Sequence, residues 1–501
     1  MVNGGVGRSR GKVRRGLVRV KQEQEPMGRS RMREVVSGDV SGKLERELGE
    51  GNTSEEEVSK DEKRGRIFGI DPSPEVALIL LCYFSQGALG ISRLAASFFF
   101  KDSLGLSPAE MAAFTGLGTL PWMIKPFYGF LSDSLPLFGF RRKSYLVLSG
   151  LLGAASWLVL GTAVDTTAQA VTAFLLASMG VAISDVVADS LVVERVRGHP
   201  QSEAGKFQSL CWGASAVGGL LSSYFSGSLL ETMSPTSVFK LTSVIPLLGA
   251  AVALTLTEKK QDQFTVSNAM DSFKLQGQRL WGALKQKAVW MPTLFVFLWQ
   301  ATPNADSAMF YFNTTELQFP PEFLGRVRLL SSAAALLGVG VFQTFLKNVP
   351  VKKMLVGATL ISVPLGLTPI ILVTHMNRSL GIPDQTFALG DTAVLGVLGQ
   401  VAFMPTLVLA ARLCPPGVEG TLFAALMSIY NASGAVSTEL GALMTSFLGV
   451  RDENFSNLPL LLAICNMLPL AVLPLAGMID AAPSSQPDEE EQKKRHTDKG
   501  E

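Results

Sequence analysis

Apolar residues run through most of this chain in long blocks, and the polar residues collect between them. A soluble core would show short apolar runs. Here the blocks last roughly 20 residues, enough to cross a bilayer as a helix. Twelve spans are predicted, at 76–99, 111–131, 144–164, 168–191, 206–230, 237–257, 289–312, 324–346, 352–374, 388–411, 420–445 and 458–478. The stretch 258–288 separates the first six from the last six and carries Lys259, Lys260, Lys274, Arg279, Lys285 and Lys287.

Six spans, a charged loop and six more spans are the outline of a major-facilitator fold. That is an all-α membrane protein of 12 transmembrane helices in two pseudo-symmetric six-helix halves around a central cavity. The expected division is a disordered N-terminal region at 1–70, a first half at 71–257, a central inner loop at 258–288, a second half at 289–479 and a polar tail at 480–501. Internal symmetry supports it. The second hairpin of each half ends in cations: Arg141, Arg142 and Lys143 in the first, Lys347, Lys352 and Lys353 in the second. The fifth span of each half follows a related turn, at 199–206 and 415–421. Corresponding marks lie roughly 210 to 216 residues apart, as in duplicated halves.

Composition agrees. Only 17% of the 501 residues are charged, against about 25% in soluble proteins. No basic groove with interleaved aromatics appears, so nucleic acid is not an expected partner. The four cysteines and three histidines are scattered, which leaves no metal site, and no cofactor is expected. Loop cations set the topology. Arg141, Arg142, Lys143, Arg195, Arg197, Lys206, the central loop, Lys347, Lys352, Lys353 and Arg412 mark the inner side. The other side has Lys101, Lys240, Arg326, Arg328, Arg378 and Arg451. Residues 1–21 are rich in arginine and lack acids, as in an organellar transit peptide. The alternative is a disordered cytosolic tail, and Glu and Asp become frequent at 45–64.

Polar residues inside spans are the candidates for function. Arg93, about 8 Å short of the outer end of span 1, suits an anionic substrate, because arginine holds a carboxylate bidentately; otherwise it snorkels to the interface. Lys125 stands between Pro121 and Pro126, where the helix ladder is disrupted. It either binds anionic substrate or pairs with an acid in a structural lock. Asp185 and Asp189 are four residues apart and share a helix face. Like charges this close suit proton binding or recognition of a donor-rich heterocycle. For Asp189 the competing expectation is pairing with Arg141, Arg142 or Lys143.

Span 7 carries Trp299, Gln300, Thr302, Pro303, Asn304, Asp306 and Ser307 at mid-membrane. Irregular backbone at that depth is tolerated where it lines a cavity. Gln300, Asn304 and Asp306 are expected to bind substrate there, with Trp299 and Phe310 stacking on a flat ring. Asp133, Arg141, Arg142, Asp189, Glu194 and Arg195 gather at the inner ends of spans 2 to 5. They are expected to form an ion-pair network that closes an inner gate. Glu439 is a lone acid in span 11, with a gate cation as its expected partner.

Over about residues 66–478 the chain resembles the folate-biopterin transporter family, a branch of the major facilitators. The resemblance rests on several blocks. One is Pro121, Trp122, Lys125, Pro126, Tyr128, Gly129, Ser132 and Asp133. Others are Ser184 to Ser190 with Glu194 and Arg195, Gln208 to Gly213, Leu298 to Pro303, and Ala411 to Pro415. Within the family it is most similar to the plastid-envelope members of plants. This implies no enzyme but alternating-access transport of folates, with pterins and antifolates as related cargo, across the chloroplast envelope. A folate's pterin donor edge would meet Asp185, and its glutamate carboxylates would meet Arg93 or Lys125. Coupled protons and the lipid bilayer are the other expected partners. A carrier of another organic anion, a non-transporting receptor or scaffold, and a plasma-membrane location are the alternatives.

Overall fold

The computed structural model describes residues 73–196, 201–260, 266–346, 348–414 and 419–482. The transit-peptide expectation, the tail beyond residue 482, and Arg197 and Lys347 lie outside the described residues.

Each predicted span is helical over most of its length, and several are broken. Span 1 is α1 (Pro74–Ala88) and α2 (Ile91–Phe98), which runs on through a π-helical turn at Phe99–Ser103. Span 2 is split into α3 (Pro108–Leu117), α4 (Leu120–Met123) and α5 (Lys125–Ser134). Spans 3 to 6 are α6 (Lys143–Thr162), α7 (Thr167–Val196), α8 (Gln201–Thr232) and α9 (Pro235–Ala253). The central stretch contains a helix that polarity alone did not reveal, α10 (Val266–Leu284).

Span 7 breaks into α11 (Lys287–Gln300) and α12 (Asp306–Tyr311), and a π-helical turn at Phe312–Glu316 follows. This turn repeats the one that ends span 1, at the spacing of the duplicated halves. Spans 8 and 9 are α13 (Pro321–Val341) and α14 (Val351–Gly366) with α15 (Pro369–Val373). A short α16 (Met376–Ser379) leads to α17 (Asp384–Arg412), α18 (Glu419–Phe447) and α19 (Leu458–Val472).

Eight of these runs are long and apolar enough to cross a membrane. The other four are spans 2, 5, 7 and 11, and their place in the fold accounts for their polarity. α18 packs on α3, α4 and α5, and α8 packs on α13, so spans 2, 5 and 11 face the opposite half of the protein. Span 7 is polar where it breaks. At the α8–α13 seam a side chain on Gly227 would meet the Pro321 carbonyl at 2.5 Å, so the backbones approach too closely for one.

Each half has its own apolar core. Tyr145, Leu146, Val187, Leu191 and Cys211 belong to the first, and Phe295, Leu355, Leu409 and Leu426 to the second. Two further clusters join the halves at the outer end. Tyr311 packs among Phe99, Phe100, Trp157 and Phe239, and Leu94 packs with Phe319, Phe323 and Leu324.

Candidate functional site

Span 2 breaks where its sequence holds two prolines. Ile124 leaves the helical region (φ −103°, ψ 19°), and Lys125 becomes the first residue of α5 with Pro126 behind it. Lys125 Nζ forms an ion pair with Asp185 Oδ2 on α7 and sits 5.0 Å from the centre of the Trp122 ring. Of the two roles open to Lys125, the structure has it in the lock. One turn along α7, Asp189 accepts a hydrogen bond from the Tyr83 hydroxyl on α1. This corrects the expected pairing of Asp189 with Arg141, Arg142 or Lys143. Lys125, Asp185 and Asp189 lie within electrostatic reach of one another. The α7 face thus presents two carboxylates, one met by a cation and one by a phenol.

At the inner end Arg142, not Arg141, is the hub. Its Nη2 lies 2.7 Å from Asp133 Oδ1 and 2.6 Å from Glu194 Oε1. Its Nη1 donates to Ser132 Oγ at 3.1 Å. Burial works against the Arg142 charge, but the bond to Glu194 and the charges of Asp133 and Glu194 hold the guanidinium above its usual range. Arg141 contributes its backbone N–H, which donates to Glu258 Oε1 at 2.7 Å. The same carboxylate accepts from the backbone of Arg142 and of Lys143, at 3.1 and 2.9 Å. Glu258 therefore caps the start of α6, where unpaired N–H groups favour an anion. Sequence reasoning missed it, although an acid closing span 6 beside the cations that open span 3 was a usable signal. Arg195 pairs with Glu75 at the start of α1, at 3.3 Å. All these groups belong to the first half. Among the described residues the network ties helices within that half together, with Asp133, Arg142 and Glu194 paired as expected and Arg195 paired with Glu75 instead.

The break in span 7 is seated on α18. The Ser433 hydroxyl donates to Gln300 Oε1 at 2.8 Å, and the Ser437 hydroxyl donates to the Thr302 carbonyl at 2.6 Å. Asn304 Nδ2 donates to Ser437 Oγ at 3.1 Å and to Thr438 Oγ1 at 3.3 Å. A side chain on Gly441 would collide with the Asn304 carbonyl. The Trp299 indole N–H donates to Thr359 Oγ1 at 2.9 Å on α14. Trp299, Gln300 and Asn304 thus place polar groups on partners inside the second half. Phe310 meets Phe98 edge-on at 5.4 Å, and the Tyr311 hydroxyl donates to the Leu106 carbonyl. Phe310 thus packs at the outer end, between the halves. Asp306, the first residue of α12, is exposed.

Two arginines remain. The helix holding Arg93 continues to Ser103, four residues past its predicted end, so Arg93 lies about 15 Å from that end. Its neighbour Leu94 packs with Phe323, Leu324 and Val327, and Val327 adjoins Arg328 on α13. Arg93 and Arg328 come from opposite halves and act electrostatically on each other. Among the described residues neither forms an ion pair. Arg328 was grouped with outer-loop cations because it falls near the start of span 8. Its position one turn inside the helix was the missed signal. Two cations from opposite halves that feel each other's charge, with no acid paired to them among the described residues, suit a ligand with two negative groups.

Known proteins share this sequence and this fold. The model of the BT1 family matches residues 86–499. A protein of Synechocystis sp. described as a folate-biopterin transporter is 50% identical, over 87% of this chain and 87% of its own. An Arabidopsis thaliana protein described as probable folate-biopterin transporter 4 is 32% identical, over 79% of this chain and 94% of its own. Folate transporter 2 of Plasmodium falciparum is 30% identical over 80% and 87%. Among solved structures, the nucleoside transporter NupG superposes with a TM-score of 0.61 at 13% identity, covering 81% of this chain and 98% of NupG. A D-xylose–proton symporter gives 0.57 at 15% identity, over 82% and 97%. The structural likeness carries the major-facilitator fold and the sequence likeness carries the family: the chain belongs to the BT1 family of folate-biopterin membrane transporters.

Proposed function

We propose that this protein carries folates, with pterins and antifolates as related cargo, by alternating access across the chloroplast envelope. The observation that carries this reading is the Arg93–Arg328 pair. A folate's glutamate tail bears two carboxylates, and two guanidiniums from opposite halves would hold one each. Ligand would then draw the halves together at its own depth. Asp185 is committed to Lys125, so the exposed Asp306 is the better acceptor for the pterin's donor edge. The outer-end contacts of Phe98 with Phe310 and of Tyr311 with Leu106 support alternating access. So does the inner end, where α7 and α17 share no broad contact among the described residues. A carrier caught with one end shut and the other apart would look this way.

Uptake tests the reading. Vesicles containing the pure protein should accumulate or exchange labelled folate, and unlabelled folate should compete. Normal binding without entry would instead support a receptor. Entry of other organic anions at equal rates would make the carrier a general one. The envelope location rests on the acid-free, arginine-rich residues 1–21. Residues 1–75 fused to a fluorescent reporter should direct it to plastids, and a rim at the cell surface would favour the plasma membrane.

A further inference from the structure

Glu439 of α18 lies in the seam between the halves, against α3. A side chain built on Gly116 would come within 2.5 Å of Glu439 Oε1 and 3.2 Å of its Cδ, so the carboxyl group occupies the space a side chain there would need. Oε1 is buried and has no hydrogen-bond partner among the described residues. Glu439 as a whole is only half-buried, and its second oxygen is not among the buried polar atoms. One oxygen is pressed into the seam while the other keeps a way to water. Gly116 is eight residues from the start of α3 and Glu439 eight from the end of α18, so both lie about 12 Å below the outer ends of their helices.

Among the described residues no titratable group around the seam pairs with Glu439. Of the elements packed on α18, α3 brings Glu110, held by Ser107 in a capping box. α5 brings Tyr128, with Lys125 and Asp133 taken by Asp185 and Arg142. α11 brings Lys287 at its inner end, and α10 brings Lys274 and Arg279. α17 brings Arg412, with Asp384 taken by Arg378 and Asp391 by Thr368. α19 brings Cys465, and α4 brings no titratable group. Asp306 lies just past the break seated on α18. None of these forms a hydrogen bond or ion pair with Glu439. The expected gate cation is absent among the described residues.

We propose that Glu439 is a proton-binding site that couples closure of the α3–α18 seam to transport. The inference rests on the carrier reading and adds its driving ligand. An ionised carboxylate with a bare oxygen in an apolar, membrane-embedded seam is strongly disfavoured, and the neutral acid is tolerated. When the outer ends part, Glu439 meets outer water and takes up a proton. The neutral acid then permits the seam to close over it. In the closed form the proton leaves through the second oxygen to the gap between the halves, and the restored charge drives the seam open again. One proton moves inward per cycle: the carboxyl O–H bond formed with a proton from outer water breaks when that proton passes to water in the gap, and no bond to carbon changes.

The test uses the full chain in vesicles. Wild-type, Glu439→Gln and Glu439→Asp proteins are compared in two assays: exchange of labelled folate without a gradient, and accumulation under a gradient of one pH unit, acid outside. One proton per folate supports about tenfold accumulation at that gradient. The Gln variant should keep exchange and lose accumulation, together with the folate-induced acidification of the lumen. The Asp variant should keep both. Accumulation by the Gln variant equal to wild type would overturn the proton site, as would loss of exchange along with accumulation in a folded Gln variant. Where Gln does not fold, loss of acidification in a folded, exchanging Asp variant overturns it, and retained acidification supports it. A wild-type protein that exchanges no folate would instead bring down the carrier reading.

Discussion

Lys125 and Asp185 join α5 to α7 as an ion pair nearly withdrawn from water, with side chains 15% and 8% exposed. A buried pair contributes little net stability over well-packed apolar groups, but each member is costly without the other. Lys125→Met or Asp185→Leu alone should therefore destabilise the protein by about 3–5 kcal/mol. The double variant should recover most of that loss. Thermal unfolding in detergent measures all three. An additive double variant would mean that the two charges do not depend on each other.

The spans could be read from the sequence because a bilayer demands a fixed length of apolar helix. The breaks could be read because proline removes a backbone donor, as at Pro126 and Pro303. The partners of the polar residues could not. Lys125 and Asp185 lie on separate spans, and only the packing of α5 on α7 brings them together. At the inner hairpin one residue decides the hub. Arg141 and Arg142 are equivalent as composition, yet the turn at Gly139 (φ 85°) leaves only Arg142 aimed at Asp133 and Glu194. In span 7 the polar run suggests a cavity, and the hydroxyls of α18 also satisfy it. That complement of Ser433, Ser437 and Thr438 was present in span 11, unmatched to its partner.

The same geometry separates neighbouring arginines. Arg142→Ala should leave Asp133 and Glu194 facing each other without a cation, at a cost of about 2–5 kcal/mol. Arg141→Ala removes no side-chain partner among the described residues and should stay within about 0.5 kcal/mol of wild type. Unfolding midpoints of the two variants would decide this, and equal losses would refute Arg142 as the hub.

Gly441 tests whether the span 7 break is fixed to α18. A methyl group there would strike the Asn304 carbonyl and pry the break from Ser437. Gly441→Ala should cost about 1–3 kcal/mol, as overpacking does. Gly434→Ala is the matched control on the same helix, because a side chain there meets nothing within 4 Å. Equal stability of the two variants would show that the break moves freely against α18.

Arg93 and Arg328 make the sharpest prediction about substrate. If each guanidinium holds one carboxylate of a glutamate tail, removing either takes away a charge-assisted, bidentate contact and leaves the pterin end untouched. Arg93→Ala and Arg328→Ala should each raise the KM for folate by roughly 10- to 100-fold, the equivalent of about 1.4–2.8 kcal/mol. Transport of a pterin without a glutamate tail should change by less than about twofold, since it never used those contacts. Lysine keeps the charge but loses the fork, so Arg328→Lys should fall between wild type and alanine. The double alanine variant is the decisive case. Two cations held close repel each other in the empty protein, and removing one relieves the other. Loss of both should therefore weaken folate transport by less than the product of the single effects. Parallel loss of folate and pterin transport in all the variants would assign the arginines to folding or closure and leave the glutamate tail without its partners.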